Sequence, residues 1–230
     1  MTTFHLAVIT AGITQPSSTR LLADRLTEAT VRALTAAAPA RGGSGGGPGG
    51  PDGSGGPDGS SGPVEVVVEV VDVRDVAHDL TNNVLTGFAS PDLQVRIDAI
   101  TEADAVVVAT PVYAASYSGL FKMLVDVLHK DALRDTPVLL GATGGTARHS
   151  LAIDHALRPL FAHLGALVAP VAVFAASEDW GSVEAGRLGE RIDRAGRAFA
   201  ALVNGSPRAA HVDPFDDVTP FASMLSDLRA

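Results

Sequence analysis

The chain has 230 residues, 46% hydrophobic and 19% charged: enough apolar material for a sizeable core and too little charge for a disordered protein. Lys and Arg number 17 against 26 Asp and Glu, a formal net charge of −9, so nothing supplies a basic stripe for a nucleic-acid backbone. Cysteine is absent, which removes disulfides, thiolate metal sites, Fe–S clusters and cysteine nucleophiles together.

The chain opens on MTTFHLAVIT, which has no basic n-region or cleavage site, and its apolar run is strand-sized rather than membrane-sized. A cytoplasmic protein is expected. Five apolar, β-branched runs of strand length follow in order: Phe4–Ile9, Val64–Val71, Ala105–Ala109, Val138–Leu140 and Leu167–Phe174. After the first, Leu22, Leu26, Ala29 and Ala33 share one helical face; near the C-terminus Leu188, Ile192, Ala195, Phe199 and Leu202 repeat at helical spacing. Between the first two runs, residues 41–63 hold 12 of the 24 glycines, with 4 Pro, 4 Ser and 2 Asp. That composition cannot bury apolar area to offset backbone entropy and reads as a flexible insert in one domain over 1–205, followed by a C-terminal tail, 206–230.

Strands alternating with helices imply a parallel sheet with helices on both faces. Runs one, three and four carry no charge, as strands covered on both faces require. Run two carries Glu65 and Glu69, and run five contains Pro170, both marks of an edge. The expectation is an α/β, flavodoxin-like, doubly wound sheet of five parallel strands in the order 2-1-3-4-5.

Ligands of such sheets bind beyond the carboxyl ends of the strands, at the switch point between strands one and three. Three loops lie there. The first, Ala11 to Arg20, places Ser17, Ser18 and Thr19 at a helix N-terminus, where free N–H groups and the dipole favour a phosphate monoester. Plain N-capping would need one hydroxyl; three, with Arg20, favour the phosphate. This first loop carries neither a P-loop, since no Gly-Lys-Ser/Thr follows, nor a GxGxxG fingerprint. The second loop, Thr110 to Gly119, offers hydroxyls, amides and a ring, Tyr113, against which a planar heterocycle could lie; equally, its tyrosines could pack beneath an ordinary strand-to-helix turn. In the third, Gly141 to His149, the pair Gly144-Gly145 allows close backbone approach to a ligand, or only a flexible turn.

The run TPVYAASYSGLFKMLVDVL resembles the TPVY-x-x-S/A-YSG-x-x-K-x-x-x-D signature of the NAD(P)H-dependent FMN reductase family. GATGGTARHSLAIDHALRPLFAHLGA is similar to that family's later flavin-side loop and helix. The likeness covers Phe4 to Val203 apart from the glycine insert; the chain resembles flavin reductases encoded beside luciferase-like monooxygenases in actinobacteria and is similar also to alkanesulfonate-type FMN reductases. By that resemblance Ser17, Ser18, Thr19 and Arg20 would hold the FMN phosphate. Pro111, Val112, Tyr113, Ser116, Tyr117 and Ser118 would line the ring and ribityl chain, and Thr143, Gly144, Gly145 and Thr146 would contact the ring from its other side. The first loop departs from the family's Gly-Ser-Pro-Arg opening, reading Ala11-Gly12-Ile13-Thr14.

The resemblance implies hydride transfer from NAD(P)H to FMN, with reduced FMN passing to a partner monooxygenase. No catalytic side chain is assigned, because the cofactor carries the redox chemistry and the protein supplies geometry. Two other classes share the scaffold: an FMN-bound quinone or azo reductase, and a flavodoxin-type electron carrier. A carrier would be expected to sandwich its flavin between aromatic rings, whereas this chain has a single Trp, Trp180, and two Tyr. His149, His155 and His163, at spacings of six and eight, read as surface residues on one helix rather than metal ligands. Lys122 and Asp126 read as an i,i+4 helix pair. The helix after Gly119 is apolar around most of its circumference, which predicts a homodimer or homotetramer built on it.

Overall fold

The computed structural model describes residues 2–36, 64–181 and 184–206. The expected insert, 41–63, and the tail beyond Ser206 lie outside them. Strand β1 (Thr2–Thr10) leads into helix α1 (Ser18–Ala36). After β2 (Val64–Asp72) come two helices, α2 (Ala77–Thr86) and α3 (Pro91–Thr101). The second is a separate element for a local reason. The Ser90 side chain accepts from Leu93 N at 3.2 Å, and Pro91, whose missing N–H costs nothing in a first turn, starts the helix.

Strand β3 (Ala105–Tyr113) turns back on itself as β4 (Ser116–Tyr117), then α4 (Gly119–Val127) leads to β5 (Pro137–Gly144). A 3₁₀ turn (Ala147–His149) and a π-helical turn (Ile153–Leu157) run into α5 (Arg158–His163). Strands β6 (Leu167–Val168) and β7 (Val173–Ala176) precede the closing helix α6 (Glu184–Gly205). His149, His155 and His163 therefore sit on three successive segments rather than one regular helix, all exposed.

The sheet runs β2-β1-β3-β5-β6, all parallel, with β7 also on β5 and the short β4 antiparallel to β3. This is the flavodoxin-like order, with two corrections to the five-strand expectation. The fifth strand is two pieces: β6 pairs with Pro137 and Val138, β7 with Gly141 to Gly144, and Pro170, which has no N–H for the ladder, lies between. The second correction is β4, too short to show as an apolar run.

Two cores flank the sheet. Leu6, Val8, Val107 and Leu139 face α1 and α6, with Leu22, Leu26, Ile192 and Phe199. Ile9, Val106, Val108 and Leu140 face the other helices, with Leu80, Phe121 and Phe161. On α4, Phe121, Leu124 and Val125 are buried, and Leu120, Met123 and Val127 are half-buried against the same core, to which α2 contributes by packing on α4. Part of the apolar circumference that suggested an interface on this helix is taken up within the chain, and Leu120, Met123 and Val127 stay partly exposed. More exposed apolar side chains lie next door: Leu85 (78% exposed) and Phe88 (80%) at the end of α2, with Val84 and Val95. Among the described residues, no helix is long and apolar enough to cross a membrane.

Candidate functional site

The register sets the site. Thr10 lies opposite Ala109, Ala109 opposite Gly141 and Gly141 opposite Val173, so the loops leaving β1, β3, β5 and β7 emerge along one edge. They enclose a cleft of about 190 Å³ lined by Thr14, Ser18, Thr19, Pro111, Val112, Tyr113, Thr143, Gly144, Gly145, Ala175, Ser177 and Trp180.

In the first loop the expected phosphate ligands divide. Ser17 is the N-cap of α1: its Oγ accepts from Arg20 N at 3.1 Å and its carbonyl from Leu21 N at 3.0 Å. Gly12 is required beside it, since a Cβ there would lie 2.0 Å from Ser17 Oγ. Arg20 lies along the helix, its Nε donating to Asp24 Oδ1 at 2.7 Å, and does not line the cleft. Thr19 is buried with its hydroxyl 2.7 Å from that of Thr143, joining the first loop to β5. Ser18 is left lining the cleft at the helix N-terminus, where first-turn N–H groups lie outside the helical ladder. The loop is held from a distance: Arg74, just beyond β2, donates to the Ile13 carbonyl at 3.5 Å. The Gln15 amide oxygen, in the orientation that satisfies both groups, accepts from the same guanidinium at 2.8 and 3.2 Å.

The second loop is held by its own residues. Thr110 Oγ1, fully buried, accepts from Ser118 N at 3.2 Å and donates to the Pro111 carbonyl at 3.1 Å. Val112 and Tyr113 pair with Tyr117 and Ser116 across a two-residue turn whose members, Ala114 (φ 47°) and Ala115 (φ 67°), both occupy the left-handed region. A tight hairpin turn of the kind that twists with its strands needs positive φ at both positions, which alanine adopts only at a cost. Ser118 is buried and caps α4 through Phe121 N at 3.1 Å. Tyr117 packs edge-on against Phe121, centroids 5.8 Å apart. Pro111, Val112 and Tyr113 line the cleft; Ser116, Tyr117 and Ser118 shape the hairpin behind them.

In the third loop the two glycines differ. A Cβ on Gly144 would meet the Phe174 ring at 2.8 Å, whereas one on Gly145 would meet nothing within 4 Å, so Gly145 borders open space in the cleft wall. Thr146 caps the 3₁₀ turn through Arg148 N at 3.3 Å and stands outside the cleft. The fourth wall was not anticipated. After β7, Asp179 accepts from Ala176 N at 2.8 Å and from Arg191 Nη2 at 2.5 Å, and Arg25 lies 5.3 Å from the centroid of the Trp180 ring. These contacts hold Ala175, Ser177 and Trp180 at the edge. Applying the carboxyl-end rule to the fifth strand as well would have found them.

The residue set suits FMN. One end has hydroxyls at a helix N-terminus, apt for a phosphate; the other has a proline-started hairpin facing a glycine with open space, apt for a planar ring. Residues 4–181 match the family described as NADPH-dependent FMN reductase. The chain belongs to that family.

As a family member it is an NAD(P)H:FMN oxidoreductase. It is 42% identical over 138 residues to a Pseudomonas aeruginosa FMN reductase (NADPH), covering 59% of this chain and 74% of that protein. It is 43% identical over 130 residues to the NADH-dependent FMN reductase SfnF of Pseudomonas putida, covering 55% and 69%. Among solved structures, an oxidoreductase from Corynebacterium diphtheriae superposes with a TM-score of 0.74 at 38% identity, over 90% of this chain and 99% of that one. In this reductase, eight of the fourteen residues expected at the flavin line the cleft, and the other six brace or cap the elements that form it.

Proposed function

We propose that the reductase binds FMN in this cleft and that the reduced flavin is consumed by a flavin-dependent monooxygenase. The observation carrying the first part is the convergence of Ser18 and Thr19, at the start of α1, with Pro111–Tyr113 and Gly144-Gly145 on a single cleft. Ser18 Oγ and the N–H groups of the first helical turn hold the phosphate; the hairpin and Gly145 border the ring and leave one of its faces uncovered; Trp180 closes the wall beside α1. FMN supplies the hydride-accepting chemistry when bound. The chain's own work is to orient it and leave a side open to nicotinamide, and the exposed Tyr113 marks that side. Ser17, Ser118 and Thr146 act as caps, Thr19 as a tie to Thr143, and Arg20 through Asp24 on the helix surface.

The names of the relatives favour the reading and leave the nicotinamide open, since one is an NADPH and another an NADH enzyme. A monooxygenase partner matches a soluble, releasable flavin product. Self-association, as a homodimer or homotetramer, is assigned to the α2–α3 face rather than to α4, because Leu85 and Phe88 are the most exposed large apolar side chains among the described residues, with Val84 and Val95 beside them.

The test is nicotinamide oxidation followed with and without added FMN, alongside an FMN titration read by Trp180, the single tryptophan. FMN-dependent turnover with quenching of Trp180 is expected. Tightly retained FMN with faster quinone turnover would make the chain a quinone reductase, and FMN binding without nicotinamide oxidation an electron carrier.

A further inference from the structure

At the opposite end of α1 from the cleft, α1 and α6 enclose a groove of about 570 Å³. The two helices touch where Gly196 meets Ala29, so closely that a Cβ on Gly196 would lie 2.7 Å from Ala29 backbone. From there toward the ends of both helices, the groove is lined by Ala33 and Ala36 on one side and by Ala200 and Ala201 on the other. Its rim is cationic: Arg32 is paired with Asp193 at 2.7 Å, but Arg197 has no partner among the described residues. Small side chains on both walls leave room for large ones, and the spare guanidinium leaves room for a carboxylate.

We propose that the C-terminal segment 207–230 of the same chain docks in this groove. Three observations choose it. Asn204, in the last turn of α6, lines the groove, so the 24 residues that follow Ser206 start near its mouth. In TPFASMLSDLRA, Phe221, Met224, Leu225 and Leu228 fall at i, i+3, i+4 and i+7, the anchor spacing by which a peptide lays one helical face into a groove. Ahead of them, Asp213, Asp216 and Asp217 supply the carboxylates that Arg197 lacks. The other segment that leaves from this end, 37–63, has no apolar side chain larger than alanine and proline with which to fill the space. The inference is independent of the flavin reading: it concerns the other end of α1.

The test compares amide hydrogen exchange of the full chain with that of a chain ending at Ser206, then adds a synthetic peptide of residues 207–230. Truncation is expected to speed exchange at least tenfold in 29–36 and 197–204 while leaving 84–95 unchanged. The peptide is expected to restore protection, and Arg197→Glu to weaken its binding about tenfold. If truncation aggregates the protein, Met224→Asp with Leu225→Asp in the full chain must give the same local loss. Unchanged exchange in the groove overturns the proposal, as does a change confined to 84–95. Groove protection that appears only as the mass doubles with concentration also overturns it, assigning the groove to a second copy.

Discussion

The loops after β1 and β3 border the same cleft, yet they are stabilised in opposite ways. The β3 loop is self-sufficient: Thr110 bonds Ser118, Val112 and Tyr113 pair with Tyr117 and Ser116, and Ser118 caps the next helix, all within a dozen residues. The β1 loop is held by strangers: Arg74 through Ile13 and Gln15, Thr143 through Thr19. A self-contained loop can present ring contacts in one fixed shape. A loop tied to distant residues can be loosened from outside, and the phosphate grip proposed for it would depend on ties that do not touch the phosphate.

The sharpest way to break the contrast is Gly12→Ala. The new Cβ would collide with Ser17 Oγ, displacing the cap and the start of α1; overpacking of this kind costs about 1–3 kcal/mol. FMN affinity should fall at least tenfold by titration, and Ser17→Gly in the same chain should recover part of it. No recovery would mean that the loop is constrained elsewhere. Thr110→Val acts on the other loop: it strips a buried N–H of its acceptor, at about 1–3 kcal/mol, so thermal stability should fall while the residual folded protein still binds FMN phosphate normally.

A gain is expected from Ala114→Asn with Ala115→Gly. Left-handed alanines cost roughly 1–2 kcal/mol each, and Asn-Gly suits such a turn, so melting should rise by the equivalent of about 1 kcal/mol. An unchanged or lower melting temperature would show that the turn is strained for another reason. The smallest stability change belongs to Arg74→Ala, about 1 kcal/mol or less for ion pairs that are long, at 3.7 and 3.9 Å, and still reached by solvent. Its effect should appear instead as several-fold weaker FMN binding. Equal losses in stability and affinity would contradict the division of labour between the loops.

The same contrast explains what could be read from the amino-acid order. The β3 loop was legible because its partners are neighbours, so TPVYAASYSG carries its contacts within one motif. Strand order was legible too, from where charge and proline interrupt apolar runs. The hairpin turn was not: Ala114-Ala115 carries none of the Asn or Gly that announces positive φ. In the β1 loop the hydroxyl-rich run was visible, but not which hydroxyl faces the cleft. Ser17, Ser18 and Thr19 differ only in direction, and direction depends on Gly12 and Thr143. Trp180 is placed by Arg25 and Asp179–Arg191, pairings distant or specific enough that no local pattern reveals them.

The break at Pro170 has a consequence for the chain's behaviour in a crowded solution. An open sheet ends in two rows of unpaired amide groups, each a template on which a neighbouring molecule's strand can add. Here one border is cut into pieces of two and four residues around Pro170, and the other carries the exposed carboxylates of Glu65 and Glu69. A short border and a charged one offer little length for another strand to zip onto. Among the described residues, both borders thus carry features that disfavour edge-to-edge growth of the sheet.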